Sequence, residues 1–143
     1  MVLYLLNKGA DPNIFLPGGG GLMPVVLAIR RTNPENTELL EMLLDAGASI
    51  LGTAALHMAS FMGHLPKMRT LIVRGADINE VLTDRVRTRL KFFGFSTPLH
   101  WAVRGGHADA VELLLAENPD MELKDDHGIS AKDALNQWKV ASA

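Results

Sequence analysis

Four eight-residue strings recur along the chain and restrict its architecture more than any other feature: residues 2–9, 40–47, 68–75 and 111–118. Each opens on an aliphatic residue or methionine and adds an apolar pair three and four places later. They are Val2 with Leu5 and Leu6, Leu40 with Leu43 and Leu44, Met68 with Leu71 and Ile72, and Val111 with Leu114 and Leu115. That spacing builds one apolar face on a helix. Seven places on stands Gly9, Gly47, Gly75 or Asn118, residues that can turn left-handed and stop a helix. A helix of this length cannot bury its own face, so the recurrence predicts neighbouring copies stacked against each other.

A second motif precedes the last three strings: residues 21–26, residues 52–57 and residues 96–102, with a degraded copy at residues 128–133. In the third copy Thr97 is a capping hydroxyl and Pro98 stands at the first helical position, where a missing N–H costs nothing. After two of the strings the chain continues alike, as Gly9-Ala10-Asp11 with Asn13 and Gly75-Ala76-Asp77 with Asn79, a composition suited to a hairpin-like turn.

These residues resemble the ankyrin repeat: Thr97-Pro98-Leu99-His100, Ala102, Gly106-His107, the paired leucines, and the Gly-Ala-Asp-x-Asn continuation. The likeness runs through nearly the whole chain and is strongest at residues 97–115 and 56–79. It implies an all-α solenoid of stacked helix pairs, about three and a half repeats in a single domain over residues 1–143. The expected divisions are a partial repeat at 1–20, repeats at 21–51, 52–93 and 94–127, and a C-terminal capping segment at 128–143.

Departures from the repeat mark what is particular to this chain. Equivalent positions at Pro24, Ala55, Pro98 and Ala131 are spaced 31, 43 and 33 residues apart. One joint is therefore shortened, at residues 48–53, and one carries an insertion, at residues 80–94. Within the insertion Arg85, Arg87 and Arg89 alternate with Val86, Thr88 and Leu90, and Lys91, Phe92 and Phe93 follow. Period-two alternation in an extended segment puts three guanidiniums on one side. Long segments outside the scaffold's own pattern are often functional, and arginine and aromatic residues are enriched at interface hot spots. A solubilised long loop is the competing account.

By the resemblance, loop tips and the exposed ends of first helices meet partners. That rule selects Leu22, Arg30, Arg31, Phe61, Met62 and Arg104, with Phe61 and Met62 expected as an exposed apolar centre between arginines. Together with the insertion, seven of the fourteen basic residues fall on this side, whereas residues 109–133 hold eight acids and two lysines. The function expected is recognition of another protein with an acidic and partly apolar surface. The alternatives are a small-molecule-binding or enzymatic variant with a concave pocket, and a self-associating fragment whose first helix leaves Val2, Leu3, Leu5 and Leu6 open. That open face fits a piece of a longer protein or a surface for self-association.

Composition closes several other routes. The chain has no cysteine, which removes disulfides and thiolate chemistry. With a net charge of −2, no global field draws nucleic acid or an anionic membrane, so neither is expected as a partner. No secretory signal or apolar membrane span stands out, and the expected location is cytoplasm or nucleus. The nucleophile elbow and the zinc-protease helix motif are both missing, so no catalytic, metal or cofactor-binding residue is assigned. His57 with His64 and His100 with His107 repeat at equivalent positions, which fits a scaffold role. Asp125, Asp126 and His127 read as a solvated turn, and Gly18–Gly21 as a connector rather than a phosphate loop.

Overall fold

In the computed structural model, which describes residues 1–14, 23–82 and 94–143, the chain is all-helical. Eight helices run through the described residues: α1 (Val2–Asn7), α2 (Pro24–Arg31), α3 (Glu38–Asp45), α4 (Ala55–Met62), α5 (Leu65–Val73), α6 (Pro98–Gly105), α7 (Ala108–Ala116) and α8 (Ala131–Ala141). α2 packs on α3, α4 on α5 and α6 on α7, and the pairs then stack. One inner row runs α2, α4, α6, α8, and an outer contact joins α5 to α7. This is the stack of helix pairs that the recurrence requires.

The elements begin and end where the side chains dictate. Thr97 accepts from the backbone N–H of His100 at the start of α6, and Ser130 does the same for Asp133 at the start of α8. Asn118 is left-handed after α7, as are the glycines at the ends of the other strings, so the four stop residues behave alike. The shortened joint takes a different form. α4 starts from Ala54, a non-glycine residue at φ 64°, where the other capped starts are extended. A left-handed alanine costs roughly 1–2 kcal/mol, offset here by complete burial of Ala54 and Ala55 in the core.

The core is one cluster shared between neighbours, with Ile29, Leu40, Leu56, Met68, Leu71, Leu99, Trp101 and Leu114 fully buried. Polar ties join the exposed turns beside it. The Asp11 carboxylate accepts from Asn13 N–H within its own turn, while Asn13 reaches the next turn, donating to Gly47 O at 3.1 Å and accepting from Ser49 N–H at 2.7 Å. Asp77 and Asn79 repeat the device, Asn79 accepting from Asp120 N–H at 2.8 Å. In the shortened turn Leu51 stands two places after Ser49 and lies exposed. There the link is made from the other side, by Glu80 Oε1 accepting from Gly52 N–H.

Lys67 is the least expected core residue. It is 0% exposed, and by its place after Gly63-His64 it corresponds to Ala110, which is buried after Gly106-His107. Its ammonium donates to Ile29 O and Thr32 O at 3.1 Å and to Thr32 Oγ1 at 2.8 Å, while Thr32 Oγ1 itself donates to Ala28 O. All three N–H groups are thus spent on the C-terminal end of α2, where carbonyls lack helical partners and positive charge is favoured. Burial pushes the Lys67 ammonium below its usual range.

Candidate functional site

Three inner-row helices end in the residues expected to meet a partner. Arg30 and Arg31 close α2, Phe61 and Met62 close α4, and Arg104 lies in the last turn of α6. Left-handed glycines, Gly63 and Gly106, stop α4 and α6 at equivalent points. The two tips then meet: a Cβ on Gly105 would run into the backbone oxygen of Phe61. Gly105 therefore permits a close backbone approach between the ends of α4 and α6.

Arg30, Arg31 and Arg104 are exposed. Phe61 and Met62 depart from expectation, since both are half-buried and pack against the core rather than standing free. The physical reason is Trp101. The Phe61 ring meets the buried indole edge-to-face with centroids 6.3 Å apart, and the indole meets the His57 ring at 5.5 Å. Leu22 and the insertion residues Arg85, Arg87, Arg89, Lys91, Phe92 and Phe93 lie outside the described residues, as do Gly18–Gly21.

Both ends of the insertion are described, and both are fixed. The carbonyls of Glu80 and Ser96 can only accept, so His57 carries its proton on Nε2 and shares it between them, at 2.8 and 3.0 Å. Leu82 is buried on one side, and on the other Phe95 O accepts from Asp126 N–H at 3.0 Å. His57 is wholly buried, and the loss of solvation pushes its pKa down to about 4. The ring is neutral throughout the physiological range. Burial likewise raises the Glu80 carboxyl, against the lowering effect of the Gly52 N–H.

The remaining histidines also serve the stack. The Nε2–H of His100 donates to Ile129 O at 3.0 Å, leaving Nδ1 to accept the Thr97 hydroxyl at 2.8 Å. His107 lies over Gly63, where a Cβ would collide with its ring, and His64 is buried. Asp125, Asp126 and His127 could bring ligand atoms within 4.8 Å of one another. Asp125 Oδ1, however, accepts from the N–H groups of His127 and Ile129, and the His127 ring lies 3.0 Å from Asp126. The three residues build the turn before α8.

Sequence reasoning missed Lys67, Gly105 and the double acceptor pair of His57. The only available signal was the mismatch of Lys67 with Ala110 at matching repeat positions.

Stacked helix pairs, left-handed stops and turn-to-turn asparagine links define a helical repeat protein of the solenoid class. Residues 56–115 match the family model described as Ankyrin repeats (many copies). The chain is 31% identical over 156 residues to the ankyrin repeat protein FPV031 of Fowlpox virus, covering 99% of this chain and 42% of that protein. It is 34% identical over 78 residues to the Phosphate system positive regulatory protein PHO81 of Saccharomyces cerevisiae, covering 54% of this chain and 6% of that one. A third similarity, 28% over 125 residues, is to the E3 ubiquitin-protein ligase KEG of Arabidopsis thaliana, over 83% of this chain and 7% of the ligase. The chain spans less than half the length of each of these relatives. The chain carries ankyrin repeats at residues 56–115, and its likeness to an ankyrin repeat protein runs over 99% of its length. Ankyrin repeats are generally protein–protein interaction modules. Among the described residues no helix is long and apolar enough to cross a membrane.

Proposed function

We propose that this chain captures a protein whose surface is acidic with an apolar anchor, using the inner-row helix tips together with the inserted segment. The observation that carries this reading is the His57 clamp. One buried imidazole joins Glu80 O and Ser96 O, and the same ring touches Trp101, on which Phe61 rests. The ends of the insertion and the α4 tip therefore share one rigid support, and a support of that kind reduces the ordering entropy lost on binding. Arg30, Arg31 and Arg104 supply planar donors suited to bidentate carboxylate or phosphate contacts, which set orientation and on-rate.

The test is capture from an array of peptides rich in Asp and Glu with a single Leu or Phe anchor. The wild-type chain is expected to retain a subset, and the variant with Arg85, Arg87 and Arg89 changed to Glu to retain none while melting near the wild-type temperature. A large fall in melting temperature would make the insertion part of the scaffold instead. Retention that ignores the three charge reversals would remove the insertion from the binding surface.

A second reading rests on α1, where Leu3, Tyr4 and Leu5 are 53%, 63% and 47% exposed, while Val2 and Leu6 are half-buried. Large apolar side chains gathered on one short helix form a surface that associates, and a second copy would cover it. Sedimentation over a range of concentrations separates the two: a monomer throughout removes this reading and leaves the first untouched.

A further inference from the structure

The outer row holds a groove that the inner-row reading does not use. It opens between α5 and α7 and encloses about 660 Å³. Leu65, Ile72 and Leu113 line it half-buried, and Val73 stands beside them 84% exposed. On α5 the lining positions are 65, 69, 72 and 73, and on α7 and its C-cap they are 109, 112, 113, 116 and 117. Both sets follow the three-and-four spacing of a single helix face, so the groove is made by two facing stripes and not by a gap in packing.

Its charge is one-sided. Asp109, Glu112 and Glu117 contribute three carboxylates against the single guanidinium of Arg69. None of the three carboxylates has an ion-pair partner among the described residues. An apolar floor edged by unpaired carboxylates is complementary to a cationic, amphipathic occupant. Two nine-residue helices give a trough about 13 Å long, into which a third helix can lay its ridge.

We infer that this groove docks a short amphipathic helix of another protein, with lysine or arginine along one edge and an aliphatic anchor against Val73 and Leu113. The occupant differs in sign from the acidic partner proposed for the inner row. One chain could thus hold two proteins on opposite rows.

The probes are a fluorescein-labelled leucine/lysine amphipathic peptide of about four helical turns and its leucine/glutamate counterpart, each titrated by anisotropy against the full chain. The lysine peptide is expected to bind, more weakly as salt rises, and the glutamate peptide is not. Glu112→Lys and Val73→Ser, both at exposed positions, are each expected to weaken the lysine peptide about tenfold or more. Arg31→Glu on the inner row is expected to leave its affinity unchanged. Equal binding of both peptides, no binding, or binding indifferent to Glu112→Lys and Val73→Ser would overturn the inference. So would concentration-dependent sedimentation that Glu112→Lys abolishes, because the occupant would then be a second copy. The residues altered are separate from those of the inner-row test, so either proposal can fail alone.

Discussion

Acidification should unlock the stack at His57 before it affects most carboxylates. The ring ordinarily titrates at 6.5 and is held at about 4 in the fold. Between those values the unfolded chain takes up a proton that the folded chain refuses. The stabilisation from the neutral ring is therefore complete above pH 6.5 and declines as pH falls toward 4. A difference of that size corresponds to roughly 3 kcal/mol, a large share of the ~5–15 kcal/mol that holds a domain together. His64 is lowered in the same direction by burial and by Lys67, so the full loss should exceed the His57 share. Urea unfolding followed by fluorescence of the buried Trp101, at pH steps from 7.5 to 4.5, measures it. The paired variant is His57→Gln, whose amide donates to a carbonyl and does not titrate. It should begin less stable at pH 7.5 and lose about 3 kcal/mol less than wild type on acidification. If the two proteins lose stability in parallel, the assignment of a neutral, clamping His57 is wrong.

Gly105→Ala should destabilise by about 1–3 kcal/mol through the collision with Phe61 O, although alanine is the better helix former; a raised melting temperature would contradict the close approach. Lys67→Ala removes three donors and opens a void, so a loss of roughly 3 kcal/mol is expected in urea titrations. Lys67→Met restores much of the volume and should recover part of that loss but not all. A Lys67→Met protein as stable as wild type would show that the α2 carbonyls gain nothing from the ammonium.

The all-helical stack was legible in the sequence because its information is local and repeated. Val111, Leu114 and Leu115 state a helix face, Asn118 a stop, and Thr97 with Pro98 a start, each through contacts spanning a few residues. Recurrence then made the long-range arrangement nearly automatic, since each face can be buried only by its neighbour. Locating the insertion required only counting between Ala55 and Pro98. Of the candidate surface, the tip positions of Arg30, Arg31 and Arg104 follow from the same register.

Tertiary packing decided what depends on partners distant in sequence. Lys67 finds Ile29 and Thr32 more than thirty residues away, and His57 joins Glu80 to Ser96. No spacing rule carries those distances, because each pairing is set by how one helix pair seats on the next. Phe61 was half-drawn inward because Trp101 from the following pair lies beneath it, and Gly105 matters only because another backbone arrives there. The groove between α5 and α7 is likewise a property of two neighbours, its acidic edge written on one helix and its apolar floor shared by both. The chain's local chemistry determines which helices form and where they stop; the close contacts between stacked pairs determine which side chains are buried, which are clamped and which remain available to a partner.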